Sequence, residues 1–335
     1  MTAPRISVLL PVWNEVNTLA GCVESILRQS ESALECVIVD DGSTDGSLAL
    51  AQRLATRDRR IRVLERPHRG LVAALQDGAA HCEAPVIARI DADDWTHRHR
   101  LALQRALLDA RPDLAAVGSG VRIFPRRGLS AGRRAYEAWL NSMEGPEILR
   151  RNRFIECPVA HPTLMIRRAA LEAHPYRDCG WPEDYDLVLR LLRAGPNVGF
   201  VPRRLVGWRD HPDRLSRTHP AYALERFTAC RAWHLSRDFL AGKEDYVLWG
   251  HGRTGRALRR ALAALGHRPT SIVEVHPRRL GKRIHGAEVI PPDALVERPR
   301  QPIVTSVAGA GPRAVIRAAL ERMGFVEDVD FVCAA

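Results

Sequence analysis

Three carboxylates fall within four residues at Asp91, Asp93 and Asp94, directly behind the apolar run Val86-Ile87-Ala88. Acids crowded at the end of a strand repel one another, and a bound divalent cation is the usual relief. The plain alternative is a solvated Asp-rich turn or a helix cap, which short acidic strings match by chance. A second string, Asp40-Asp41-Gly42-Ser43-Thr44-Asp45, follows residues 35–39 (ECVIV), and its alternative role is capping a helix ahead of Gly46. A third, Glu183-Asp184-Tyr185-Asp186, opens an amphipathic stretch with Leu187, Leu191 and Leu192 on one face. Acids at that place suit the positive end of a helix.

The elements that must carry these residues follow from the apolar pattern. Residues 6–13, 35–39, 61–65 and 86–90 are short apolar runs of the kind expected for buried parallel strands. Between them, residues 18–29 place Leu19, Cys22, Val23, Ile26 and Leu27 at helical spacing, and residues 71–80 form a further helix. Strand, helix, strand is a βαβ unit, whose ligands bind beyond the carboxyl ends of the strands. Asp40, Asp41, the loop Pro67-His68-Arg69-Gly70 and the acidic cluster should therefore line one edge of one sheet. The fold class is α/β.

The order PVWNE, VIVDDGSTD, ERPHRGLVAALQDG and ARIDADDW resembles the family 2 glycosyltransferases, inverting enzymes of the GT-A nucleotide-diphospho-sugar transferase fold. The resemblance covers roughly residues 1–220. It implies that Pro11, Asn14 and Glu15 shape the base and ribose pocket and that Asp40 accepts a hydrogen bond from the nucleobase. A carboxylate suits an imide N–H such as that of uracil. It further implies that Asp91 contacts the ribose or the metal shell and that Asp93 coordinates Mg²⁺ or Mn²⁺ on the diphosphate. Asp184 would be the general base that deprotonates the acceptor hydroxyl, and His211 would complete the metal shell. Arg209 or Arg214 would hold phosphate, and His161 either approaches the diphosphate or is structural. One departure stands out: the loop that commonly reads NxGxxxARNxG is His68-Arg-Gly-Leu-Val-Ala-Ala-Leu-Gln-Asp-Gly78 here. Arg69 is left as the basic residue for phosphate.

A fresh βαβ pattern begins at Asp245, with Gly250, Gly252 and Gly255 spaced as GxGxxG between a strand and a helix. Glu274, 24 residues after Gly250, ends the second strand. This arrangement looks like a Rossmann-type nucleotide site, and the later strings resemble the nucleotide-sugar-binding half of bacterial sugar acyltransferases. The expected division is a GT-A domain at 1–220, a helical linker at 221–243 and a smaller Rossmann-like domain at 244–335.

Composition limits the partners. Apolar residues make up 46% and charged residues 27%, as in soluble globular proteins. No run approaches the ~18–20 apolar residues of a membrane span, so a cytoplasmic location is expected, with peripheral contact at the inner face of the membrane. The seven cysteines form no CxxC pair and read as reduced thiols. The net charge of +11 favours anionic partners, but the arginines are dispersed and aromatics are 6%, which points to a phosphate-bearing small molecule over nucleic acid. The expected partners are a nucleoside-diphosphate sugar, UDP-linked, and an acceptor that is a glycan, a lipid-linked sugar or a small molecule. Expected cofactors are Mn²⁺ or Mg²⁺, with a nucleotide in the second domain. Rival readings are a non-catalytic nucleotide-sugar sensor or docking protein, and NAD-dependent redox chemistry in the second domain. A nucleotidyltransferase is disfavoured because residues 11–15 (PVWNE) carry no Gly-rich basic loop.

Overall fold

The computed structural model describes residues 3–195 and 197–335. The first stretch runs β1 (Ile6–Val12), α1 (Leu19–Leu27), β2 (Leu34–Asp41), α2 (Ser47–Arg57), β3 (Ile61–Arg66), α3 (Leu71–His81), β4 (Val86–Arg89), β5 (Trp95–Thr96) and α4 (Arg100–Ala110). It continues through β6 (Ala116–Phe124), α5 (Ala131–Leu140), α6 (Pro146–Asn152), β7 (Met165–Arg167), α7 (Arg168–Ala173), α8 (Glu183–Arg193), β8 (Val198–Arg209), α9 (Leu215–Thr218) and α10 (Leu224–Arg237). Then come β9 (Asp245–Trp249), α11 (Arg253–Ala263), β10 (Arg268–Val273), β11 (Arg283–Ile284), β12 (Ala287–Ile290), β13 (Ile303–Thr305), α12 (Ala310–Arg322) and β14 (Phe331–Cys333).

The chain forms two compact units. The first takes the chain through Arg150, then Pro158–Cys179 and Arg190–Arg214. Its eight-stranded sheet has the order β3-β2-β1-β4-β7-β6-β8-β5. β3, β2, β1 and β4 are parallel. Every residue of β1 and β2 is buried, so both strands are nearly unbroken apolar runs without polar alternation. α1 turns Leu19, Cys22, Val23 and Ile26 into the core, and each such aliphatic side chain contributes about 1.5–3 kcal/mol by leaving water. The chain steps from β1 out to β2 and β3, then crosses back to place β4 on the other side of β1. This reversal opens a crevice at the carboxyl ends of β1 and β4.

A polar core holds the end of β4. Arg100 is fully buried, donating from Nη2 to the Arg89 carbonyl at 2.7 Å and from Nε to Gln104 Oε1 at 2.9 Å. Gln104 Nε2 in turn donates to the carbonyls of Val117 (3.0 Å) and Thr163 (2.7 Å). Buried polar groups satisfied in this way fix relative positions more sharply than apolar packing alone.

One feature departs from the sequence reading: residues 198–209, where no strand is expected, form the twelve-residue β8. Pro202, Arg203 and Arg204 are exposed in the middle of β8 and break its apolar pattern, at the place where its register with β6 shifts.

The second unit takes Arg151–Cys157, Gly180–Leu189 and Leu215–Ala335. α10, expected as a linker, falls within it. Its sheet order is β11-β12-β10-β9-β13-β14, with all neighbours parallel except β11 and β12. Arg153, 1% exposed, pairs with Asp238 at 3.1 Å and Asp328 at 2.5 Å, which anchors residues 151–157 to this unit. Among the described residues, no helix is long and apolar enough to cross a membrane.

Candidate active site

The carboxyl edge of the first sheet is assembled by loops that bond to one another. Asn14 sits at φ 56°, a left-handed turn that asparagine tolerates. There its backbone N–H donates to Ser43 Oγ (3.0 Å) and its side-chain oxygen accepts from Thr44 N (2.8 Å). Glu15 N donates to Ser47 Oγ (2.8 Å) and Val16 N to Asp45 Oδ2 (3.0 Å). The loop after β1 is thereby zipped to the loop after β2, with Pro11 buried within β1 opposite Val39.

Asp40 is fully buried. Its Oδ2 accepts from Ser43 N at 2.9 Å, while Oδ1 is buried without a hydrogen-bond partner. It does not cap α2: its bonded partner is Ser43 N, and Ser47 N at the start of α2 donates to Asp45 Oδ1 instead (2.9 Å). Asp41 organises the next loop: it accepts from Arg69 N (3.1 Å) and Gly70 N (2.8 Å), and its Oδ2 lies 2.8 Å from His68 Nδ1. His68 then stacks on the exposed Trp13 at 4.7 Å. Arg69 itself reaches Asp77 (2.7 Å). The sequence reading passes over Arg66, which is buried at the end of β3, 3.3 Å from both Asp41 and Asp77.

The side chains of Asp91, Asp93 and Asp94 each present an oxygen within 4.8 Å of the other two. Asp91 is held by Arg89, whose Nη1 donates to Oδ2 at 2.6 Å. Asp94 is 2% exposed; Oδ1 accepts from Arg209 N at 2.7 Å and Oδ2 has no partner. Arg209 Nε also donates to the Asp93 carbonyl (2.8 Å), and the buried Cys22 thiol donates to that of Asp91 (3.3 Å). His211 Nε2 lies 3.3 Å from Asp93 Oδ2. Arg214 stacks over Trp208 at 4.3 Å. Burial, and after it the charge of Asp91, raises the pKa of Asp93; burial, then Asp91 and Asp93, raises that of Asp94 well above the carboxylate range. Glu15 is raised by burial as well, with Asp93 and Asp91 adding to it, against a lowering by its bond from Thr18. With Asp94 buried and the three carboxylates this close together, the cluster is not a freely solvated string. Hard carboxylate oxygens with one imidazole nearby fit Mg²⁺ or Mn²⁺.

Trp95 follows this cluster and lies against Gly207 of β8, where a Cβ would meet its indole Nε1 at 2.0 Å. His161 is buried, with its Nε2 2.9 Å from Tyr176 Oη.

In the second unit, the three acids at the start of α8 have different surroundings. Glu183 is buried and accepts from Tyr222 Oη at 2.6 Å. Asp186 is fully buried with His234 Nε2 at 3.1 Å and Trp181 Nε1 at 3.4 Å. Asp184 is the half-exposed one of the three, with Tyr185 N at 2.7 Å from its Oδ1. Gly250 and Gly252 lie in the turn from β9 into α11, Gly255 lies in the first turn of that helix, and Glu274 follows β10 with its Oε2 2.7 Å from Arg279.

The sheet order, the crevice and the acidic edge are those of a nucleotide-diphospho-sugar transferase. The family model described as "Glycosyl transferase family 2" matches residues 7–174, half of the chain, and the chain belongs to that family and is a glycosyltransferase. EpsE of Bacillus subtilis is 30% identical over 240 residues, covering 69% of this chain and 83% of EpsE. Among solved structures, S. aureus TarS 1–349 in complex with UDP is similar with a TM-score of 0.54 at 15% identity, covering 78% of this chain and 70% of that one. The mannosyltransferase PcManGT of Pyrobaculum calidifontis, in complex with GDP-Man and Mn²⁺, has a TM-score of 0.50 at 21% identity, covering 79% and 75%. These likenesses establish the GT-A fold of the first unit's sheet.

Proposed function

We propose that the chain is a metal-dependent inverting enzyme that moves a hexose-type sugar from a nucleoside diphosphate, UDP-linked, to an acceptor hydroxyl on a glycan, a lipid-linked sugar or a small metabolite. The observation that carries this reading is the convergence at one sheet edge of three carboxylates within 4.8 Å and the unpartnered buried Oδ1 of Asp40. One group of atoms suits a divalent cation and the other a base N–H.

In this reading Asp40 fixes the base, and Asn14 holds the base and ribose loop in shape through Ser43 and Thr44. Pro11 and Glu15 line that pocket, and Arg69 and Arg214 face phosphate. Asp93, with Asp91, Asp94 and His211 around it, holds Mn²⁺ or Mg²⁺, which when bound neutralises the charge of the departing diphosphate. Asp184 takes the proton from the acceptor hydroxyl, the role its place in the sequence motif suggests; of its neighbours, Glu183 accepts from Tyr222 Oη and Asp186 lies against His234. The two solved relatives were obtained with different nucleotides, UDP and GDP-Man, so the uracil preference rests on Asp40 and the imide it suits.

The test is transfer of labelled sugar from UDP- and GDP-linked donors to a panel of acceptors, with Mn²⁺ and with chelator, in wild type and Asp184→Asn. We expect turnover that requires metal and drops at least 10²-fold in Asp184→Asn, the range of a lost general base, while donor affinity is kept. Wild-type turnover by the variant would remove Asp184 from the role.

A further inference from the structure

In the second unit, β9 leads through α11 to β10 on one side, and β13 leads through α12 to β14 on the other. Parallel crossovers are right-handed, so departures in opposite directions put α11 and α12 on opposite faces of the sheet. A crevice opens between the carboxyl ends of β9 and β13, the place where open α/β sheets bind their ligands. The amino ends of both helices meet there, and each helix is preceded by a glycine at its N-cap, Gly252 and Gly309.

Buried polar atoms mark the same spot. His251, in the turn itself, is 7% exposed with Nε2 lacking any partner, and Ser306, directly after β13, is 2% exposed with Oγ lacking one. The two are tied to one turn: Thr254 Oγ1 donates to the Ser306 carbonyl at 3.2 Å, and a Cβ on Gly250 would stand 3.1 Å from that carbonyl. Native folds seldom leave buried polar groups unpaired without a ligand or water to complete them. Burial first, then the nearby Arg259 and Arg256, lowers the pKa of His251. The glycines differ in purpose. Gly250 (φ 97°) and Gly255 are required by packing, since a Cβ at 255 would lie 2.0 Å from the Gly250 carbonyl. Gly252 is exposed, with nothing within 4 Å of its Cβ position and an ordinary φ of −75°.

We propose that the second unit carries its own site for a nucleotide bearing a diphosphate. The diphosphate lies on residues 250–253 and the amino end of α11, hydrogen-bonded by His251 Nε2 and Ser306 Oγ. Orphan helix N–H groups, the helix dipole and nearby arginines all favour an anion there.

The experiment is hydrogen–deuterium exchange of the full chain with UDP, GDP, ADP, NAD or pyrophosphate, because the position of protection separates this site from the one in the first unit. At least one nucleotide is expected to protect residues 249–256 and 305–312, at concentrations at least tenfold below those pyrophosphate needs. Gly252→Asp, which adds a carboxylate in open space, should weaken that protection at least tenfold with the unfolding temperature unchanged. Ser306→Ala, a smaller change, should weaken it several-fold and serves if the aspartate disturbs the turn. The proposal is overturned if no nucleotide protects these segments, if both variants are protected like wild type, or if pyrophosphate acts at the same concentration as the nucleotides.

Discussion

Asp40→Asn isolates the nucleobase contact with almost no change in shape. The native carboxylate offers two acceptors: Oδ2 takes the Ser43 N–H at 2.9 Å and Oδ1 is left for the base. Asparagine offers one acceptor and one donor. With its oxygen on Ser43, its NH₂ meets the imide N–H of the base, donor against donor; turned over, the NH₂ meets Ser43 N–H instead. Either orientation loses one hydrogen bond to a charged acceptor, worth about 1.5–3 kcal/mol, or about 10- to 150-fold in affinity. The variant also removes a buried charge, so its unfolding free energy should stay within about 1 kcal/mol of wild type. Calorimetric titration with UDP at saturating Mn²⁺ reads the donor term, and titration with Mn²⁺ alone should be unaffected. A UDP affinity within twofold of wild type would refute the contact.

Three further outcomes are expected. Asp41→Ala strips the acceptor from Arg69 N, Gly70 N and His68 and leaves the buried Arg66 without one of its carboxylates; urea unfolding should show a loss of about 3–5 kcal/mol, the range for breaking a buried charge pair. Gly207→Val drives side-chain atoms into the Trp95 indole beside the acidic cluster, which should cost about 1–3 kcal/mol by overpacking and weaken Mn²⁺ binding measured by calorimetry. Because the folded pKa of His251 lies below the usual histidine value, the unfolded chain binds more protons than the folded one as pH falls through that range. Stability should therefore drop as pH falls below about 6.5, the unfolded value, and His251→Gln should flatten that limb in a pH series of unfolding curves.

The strands of the parallel half were legible because burial on both faces writes unbroken apolar runs, as at residues 6–12 and 34–41. The acidic positions were legible as strings too. Their division of labour was not: Asp40 and Asp41 are adjacent, yet one has an unpartnered oxygen and the other braces the loop at 68–70. That difference lies in contacts with residues 27 to 29 positions away, which no local pattern records. Arg100 and Gln104 were likewise hidden, because a buried polar pair at i and i+4 looks like an ordinary exposed helix face. β8 was masked by its exposed Pro-Arg-Arg segment. The separate fates of Glu183, Asp184 and Asp186 needed the positions of Tyr222 and His234.

The most direct measurement is calorimetric titration of the full chain with UDP and GDP, with and without Mn²⁺, in wild type and Asp93→Ala. UDP should bind with Mn²⁺, weaken at least tenfold without it, and lose that metal-dependent gain in Asp93→Ala. Binding of equal strength in chelator, or a gain from Mn²⁺ that survives in Asp93→Ala, would contradict the acidic cluster as the metal site on which the proposed transfer depends.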